Sequence, residues 1–347
     1  MSATFSFSAM IEPLSLAFPH CIVACTRNSR ECAEMRLNGG SCIQMTPSCQ
    51  TEACSILRTG ADTMYLANVW KGNIVGLRLL ALDMDGTLLT SEKTVSDATW
   101  AALGRLAGKG VTLALCTGRN ALEARWSLGG ATGPIRYGVL ASGALTYDFG
   151  TGDILDAHAI DASAAIRIVH AAKAEEAMAV VFYPDLCLCR KEDADHMDTF
   201  HMGVYQSMYQ SIYHFEDDLA GYIEAHPRDI VKVLVYHRDT AVRARTRKRI
   251  EGLGLCLADA ETTSLECSPE GISKAEGLEV LSRELGIPLS EMAVAGDGAN
   301  DLEALRVAGC AIAMDNAIPE VKEISDLVVA DNDHDGIAEA AERLFDV

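Results

Sequence analysis

The sequence predicts an α/β protein whose core is a doubly wound parallel sheet (Rossmann-like), interrupted by an inserted α+β cap domain. Three observations carry that prediction. Short apolar runs end abruptly in polar clusters, as Leu79-Leu80-Ala81-Leu82 does at Asp83. Such runs suit strands of a parallel sheet covered on both faces. The runs alternate with amphipathic stretches of helical period, an order that implies crossover helices between parallel strands. Between residues 160 and 262 this rhythm gives way to paired apolar runs, and afterwards it resumes. The expected organisation is an N-terminal extension over 1–75, a core over 76–159 and 263–347, and a cap over 160–262.

Residues 1–75 show no sustained helical or strand period, and Gly39-Gly40-Ser41 and Pro47-Ser48 break them further. They are expected to be a poorly ordered extension without a core of its own, with Met64 a candidate alternative start. From Leu77 the pattern is regular. Ser96 caps a helix carrying Trp100, Leu103 and Leu106, which closes at Gly108 and Gly110. A strand over 111–116, a helix from about Asn120 to Leu128 and a strand at Gly138–Ala141 complete the first half.

In the insert, Asp161 caps a helix, and apolar runs at 177–183 and 186–189 flank the turn Pro184-Asp185. A strand follows at 230–236, then a helix capped by Asp239 and a short strand from Leu255. The core sheet is expected to resume after Thr263. A helix from Ser273 to Leu285 stops at Gly286, and strands at 292–295, 310–313 and 327–329 precede a last helix over 335–344.

Polar groups collect at these strand ends, where open α/β sheets place function. Asp83 and Asp85 are two apart on an extended backbone, so they point the same way and together ask for a cation. A solvated turn would explain Asp-x-Asp-Gly alone. It does not explain Thr117-Gly118-Arg119 after the second strand, Lys274 at a helix start and Gly296-Asp297-Gly298-Ala299-Asn300-Asp301 after another strand. A lysine at a helix N-terminus opposes the macrodipole, which favours a site over a solvated face. Asp83 and Asp297 are expected on a metal, with Asp301 beside it. Thr117 and the Gly118 amide suit a phosphoryl oxygen at a helix start.

Asp83-Met84-Asp85-Gly86-Thr87-Leu88, Thr117-Gly118-Arg119, Lys274 and Gly296 to Asp301 resemble the four ordered motifs of the haloacid dehalogenase superfamily. The long insert between the second and third is similar to its Cof-type phosphatase branch. The resemblance covers about residues 76 to 347. It implies a Mg²⁺-dependent phosphatase in which Asp83 takes the phosphoryl group as an aspartyl phosphate and Asp85 is general acid and base. It also implies that the main-chain carbonyl of Asp85 joins Asp83, Asp297 and Asp301 around the metal. Asp83, Asp85, Thr117 and Lys274 are then the catalytic set, and Gly86, Gly118, Arg119, Ser142, Gly143 and Asn300 the substrate or phosphate contacts. Many relatives carry Asn-Gly where this chain has Ser142-Gly143, a change that leaves the leaving group open. The expected substrate is a small phosphorylated metabolite, a sugar phosphate or phosphorylated cofactor. A phosphomutase-type phosphotransferase shares the same intermediate and stays as the alternative. A non-catalytic phosphate-binding protein is disfavoured because every charged motif position is present.

The formal charge of −20 argues against nucleic acid or an anionic membrane as partner. In residues 1–75, Glu12, Glu31, Glu34, Glu52 and Asp62 balance Arg27, Arg30, Arg36, Arg58 and Lys71, so the excess acid lies beyond. Half of the 12 cysteines also lie there, without paired Cys-x-x-Cys spacing, so a zinc site is poorly supported. Cys116, Cys187, Cys256 and Cys310 sit in apolar runs and read as small core residues. No apolar run reaches the roughly 20 residues of a membrane span. Glu12 and Pro13 interrupt the first apolar stretch, so no secretory signal is expected and the location is expected to be cytoplasmic. A monomer or small homo-oligomer is expected. In the insert, Arg190, Lys191, His196, His201, Arg228 and Lys232 are candidates to meet the leaving group, although such residues are more often surface. Tyr205, Tyr209 and Tyr213, four apart, read as a helix face.

Overall fold

The computed structural model describes residues 76–345 and, nearer the N-terminus, the backbone of five short strands. The chain divides into two units, Met1–Gly72 and Asn73–Val347. In the first unit Cys21–Ile22, Glu34–Leu37 and Cys42–Gln44 form an antiparallel set, and Ser55–Thr59 pairs with Thr63–Ala67. The sequence, lacking a strand period there, did not anticipate these pairings. The expectation that 1–75 is poorly ordered otherwise falls outside the described residues, as does any metal site among the early cysteines.

The second unit is built on an eight-stranded sheet. Its six parallel strands run, in spatial order, Tyr137–Leu140, Thr112–Cys116, Leu79–Leu82, Met292–Gly296, Cys310–Met314 and Leu327–Val329. Leu79–Leu82 is central and wholly buried, which is why all four of its residues are apolar. An antiparallel hairpin, Leu145–Asp148 with Ile154–Ala157, extends the sheet at one edge and was missed in the sequence. The helix Lys274–Leu285 lays Leu278 and Leu281 on the sheet against Val139 and Val294. No helix among the described residues is long and apolar enough to cross a membrane.

Register is what assembles the site. Leu82 pairs with Leu115 on one side and Ala295 on the other. The residues that follow each strand, Asp83, Thr117 and Asp297, therefore leave the sheet at one end.

The insert forms its own six-stranded, mostly antiparallel sheet, in the order His214–Phe215, Leu186–Cys189, Met178–Tyr183, Lys232–Tyr236, Ser264–Pro269 and Leu255–Ala260. The sequence had returned the chain to the core at 263. Instead Ser264–Pro269 pairs on both sides within this second sheet, so the insert runs one strand further. The turn at Glu261 contains neither glycine nor proline, and the hairpin gave no sequence signal.

Each strand of the cap sheet alternates. Val233, Val235, Leu265 and Cys267 join a core with helices Ala162–Ala174, Leu219–Ala225 and Thr240–Ile250. Their neighbours Lys232, Leu234, Tyr236, Ser264 and Glu266 must face the other way. That other face roofs the site. Cys116, Cys187 and Cys310 are buried as expected, but Cys256 is exposed because its strand is a sheet edge.

Candidate active site

A cavity of about 420 Å³ separates the core strand ends from the cap sheet. Its floor carries Asp83, Asp85, Thr117, Gly118, Arg119 and Asp297. The turn after the central strand is tight: Leu88 N donates to Asp83 O at 3.1 Å and Leu89 N to Met84 O at 2.8 Å. Gly86 takes φ +81°, and a β-carbon there would stand 2.4 Å from an Asp297 oxygen. Glycine is required so that Asp297 can close over the turn. Thr87 Oγ1 donates to Asp297 Oδ1 at 2.9 Å and fixes that carboxylate.

Lys274 is buried, and its Nζ donates at 2.6 Å to both Asp83 Oδ1 and Asp301 Oδ1. Asp301 Oδ2 also accepts from the Asp297 and Gly298 amides, at 3.0 and 2.9 Å. A capping box at Ser273 and Glu276 holds the helix start that delivers Lys274. Asp83, Asp297 and Asp301 each offer an oxygen, all within 4.8 Å of one another. Three carboxylates thus face one ammonium, an excess of two negative charges. Burial pushes the Asp83 carboxyl up, aided by Asp301 and Asp297 and opposed by Lys274. Burial also pushes Asp297 up to about 6, against the Thr87 hydrogen bond. An all-oxygen set with this charge excess fits Mg²⁺, and a divalent cation would relieve both carboxyls.

Asp85 is held differently. Arg119 grips it with two donors, Nε to Oδ2 at 2.7 Å and Nη2 to Oδ1 at 2.8 Å. Lys93 Nζ adds a third at 2.8 Å, and the Tyr205 hydroxyl lies 3.4 Å away. Burial alone would raise the Asp85 carboxyl. Arg119 and Lys93 outweigh it and hold the group well below the usual carboxylate range.

The structure gathers most of the expected residues and redistributes the rest. Thr117, Gly118, Arg119 and Asn300 line the cavity, whereas Gly86, Lys274 and Asp301 act from just behind its wall. Arg119, expected on the substrate, is spent on Asp85 and on Ser127 Oγ at 2.9 Å. Ser142 and Gly143 do not line the cavity. Ser142 Oγ accepts from Lys232 Nζ at 2.9 Å and donates to Glu266 Oε2 at 3.1 Å, so it serves the seam with the cap. Gly143 has φ +100°, and a β-carbon there would stand 1.9 Å from Ser273 O. Glycine there admits the Lys274 helix.

None of the six cap cations proposed from sequence lines the cavity. Arg190 is paired with Asp193 and Arg228 with Asp185. Lys232 is fully buried and sits 2.6 Å from Glu266, with Gly118 O accepting from it at 3.2 Å. A second seam joins Tyr213 of the cap to buried Glu123, the hydroxyl donating at 2.5 Å. Asn120 Nδ2 likewise donates to Tyr183 O at 2.7 Å. The sequence passed over Lys93, Glu123, Glu261 and Glu266, and read Tyr205 only as part of a helix face. Of these four, Glu266 left a trace, as the one charge in the strand Ser264–Pro269.

Comparison with known proteins gives a consistent result. Residues 80–340 match the family model of haloacid dehalogenase-like hydrolases. An HMP-PP phosphatase of Citrobacter koseri is 31% identical over 249 residues, 70% of this chain and 86% of that protein. The Bacillus subtilis 5-amino-6-(5-phospho-D-ribitylamino)uracil phosphatase YitU is 30% identical over 280 residues, 77% of this chain and 97% of that protein. The match to the chloroplastic endoribonuclease YBEY of Arabidopsis thaliana, 29% identical, spans only 45% of that protein. Among solved structures, a haloacid dehalogenase-like hydrolase from B. subtilis superposes with a TM-score of 0.67 at 27% identity, over 77% of this chain and 100% of that one.

Proposed function

The chain belongs to the haloacid dehalogenase-like hydrolase family, and from that premise we propose that it is a Mg²⁺-dependent phosphatase of a small phosphorylated metabolite, such as a sugar phosphate or phosphorylated cofactor. One observation carries the reading: Asp83 lies on the cavity floor 2.6 Å from Lys274, within a cluster of three carboxylates that this single ammonium does not neutralise. The names of the relatives, phosphatases of small phosphorylated compounds, support the substrate class.

Asp83 attacks phosphorus, and the bond from phosphorus to the leaving oxygen breaks with its electron pair going to that oxygen. The leaving oxygen takes a proton from Asp85. Water then attacks phosphorus, gives its proton to Asp85, and the bond to Asp83 breaks to release inorganic phosphate. Asp83, Asp297 and the Asp85 carbonyl, with Asp301 beside them, would hold Mg²⁺, which when bound supplies positive charge to the phosphoryl oxygens. Lys274 steadies Asp83, and Thr117 with the Gly118 amide receives a phosphoryl oxygen. The ionised Asp85 fits the second step, where a base is needed. For the first step it must exchange Arg119 and Lys93 for a proton as the leaving group arrives.

The test is hydrolysis of p-nitrophenyl phosphate. Turnover should require Mg²⁺, and Asp83→Asn should lower it by more than about 10³-fold. A purified Asp83→Asn protein that keeps its turnover would sink the nucleophile.

A further inference from the structure

The floor of the cavity explains the reaction, but the roof has a chemistry of its own. Among the described residues that line the cavity, Arg119 is the only lysine, arginine or histidine, and Asp85 already occupies it. Four acidic residues line the cavity beyond the reacting centre, Glu123, Asp259, Glu261 and Glu266, although the Asp259 carboxylate turns back to the helix Thr240–Ile250. Three of them are engaged, Glu123 by Tyr213, Asp259 by Arg243 and Arg247, and Glu266 by Lys232.

Glu261 is the exception. Its carboxylate has no hydrogen bond or ion pair to any described residue. It sits in the turn between Leu255–Ala260 and Ser264–Pro269, with φ +45°. A non-glycine residue in that region is strained, and such strain persists only where the surroundings hold it. The turn presents this exposed, solvated carboxylate at the cavity mouth, near Lys93 and Arg119, which Asp85 already holds. Beside it stands Tyr205, whose ring is also covered by Arg119 at 5.3 Å and Lys93 at 5.5 Å.

We propose that Glu261 is a specificity-determining residue, and that it selects phosphomonoesters whose leaving group offers hydroxyl or amino donors and bears no second anion. The inference rests on the phosphatase reading and deepens it. A leaving group carrying a carboxylate or another phosphate would meet carboxylates and no available cation. A polyol or an amine would give Glu261 a fixed donor in place of solvent, and an ammonium would gain attraction as well. Discrimination of this kind works as much by rejection as by attraction.

Three six-carbon sugar derivatives share a phosphoester position and differ in charge: glucosamine 6-phosphate, glucose 6-phosphate and the open-chain acid 6-phosphogluconate. Each is measured as a competitor of p-nitrophenyl phosphate hydrolysis, so that binding is read whether or not the probe turns over. The wild-type inhibition constant should be lowest for glucosamine 6-phosphate and at least about tenfold higher for 6-phosphogluconate. In Glu261→Gln the ratio should shrink to within about threefold, and in Glu261→Lys the order should invert. Because each ratio is taken within one variant, loss of folded protein does not alter it. Equal constants in the wild type, or an unchanged ratio in Glu261→Lys, overturn the role of Glu261 while hydrolysis of the aryl phosphate still stands. Absence of any Mg²⁺-dependent aryl phosphate hydrolysis overturns the phosphatase reading, and this one with it.

Discussion

The floor and the roof of the cavity are built on opposite plans. On the floor, charges are interlocked: Lys274 joins Asp83 to Asp301, Thr87 holds Asp297, and Arg119 with Lys93 holds Asp85. Except for Lys93, which comes from the loop before the helix at Asp97, these groups follow the end of a parallel strand or open a helix, so the sheet register fixes their spacing. The roof is the second face of an antiparallel sheet, where alternate residues happen to point inward and a turn supplies Glu261. The difference teaches where change can be tolerated. The floor permits one reaction, whereas the roof can exchange a side chain at an alternate strand position without disturbing its own core.

After loss of Asp83, the largest expected effect is at Lys274. Lys274→Met leaves Asp83 and Asp301 buried without a counter-charge, and breaking a buried pair in this way costs about 3–5 kcal/mol. Urea denaturation should show that loss, and added Mg²⁺ should recover part of it by supplying the missing charge. Aryl phosphate hydrolysis should fall by at least about 10²-fold. A midpoint unchanged from wild type would mean that the floor is not interlocked as described.

The seam between the two plans should respond less. Lys232→Met strands Glu266 and frees Gly118 O, with an expected loss of about 3 kcal/mol, the low end for a buried pair because Glu266 is partly exposed. Lys232→Met combined with Glu266→Leu should lose less than the single change, since no charge is left unpaired. If the double variant is the worse of the two, the pair contributes net stability and the seam belongs with the floor.

A third effect lies wholly in the cap. His237 is buried, with Nδ1 against Thr263 O at 2.8 Å and Nε2 against Thr246 Oγ1 at 2.9 Å. Burial depresses its pKa below the ordinary value of 6.5. The folded state therefore binds its proton less readily than the unfolded chain does. The stability is fully present above the unfolded value and is lost as pH falls below it. The wild type should lose more stability than His237→Gln between pH 7 and pH 5, measured as the shift in urea midpoint. Parallel shifts would remove His237 from the account.

How far the sequence could be read follows the same division. The floor was legible because strand ends concentrate chemistry into contiguous words, Asp83 to Leu88 and Gly296 to Asp301, whose order alone brings them together. At Ser142 and Gly143 the sequence suggested only a ligand contact, whereas that loop also meets the cap through Lys232 and Glu266 and the helix through Ser273. In the cap, function sits on single residues separated by core positions. Lys232 and Glu266 look like any surface charges until pairing places them on the buried face. The tyrosines four apart were read as one helix face, but the helix begins at Gln206. Tyr209 inside it stacks at 3.8 Å on Tyr213, the extended residue just past its end, while Tyr205 precedes it and turns to Asp85. A period does not reveal where its helix starts.

The smallest expected effect concerns the other region of the chain. The unit Asn73–Val347 contains both sheets and every residue assigned to the floor, the seam and the roof. Residues 1–75 contribute none of the excess negative charge that distinguishes the rest. A chain beginning at Gly72 should therefore fold cooperatively, with the same turnover per site on p-nitrophenyl phosphate and the same Mg²⁺ requirement. The central strand starts at Leu79 and already has a partner on each side, so truncation removes no strand of that sheet. Turnover and urea midpoint, measured side by side with the full chain, decide it. Aggregation of the shorter chain, or stoichiometric zinc found only in the longer one, would give the first 75 residues a structural role and make the comparison one of three regions.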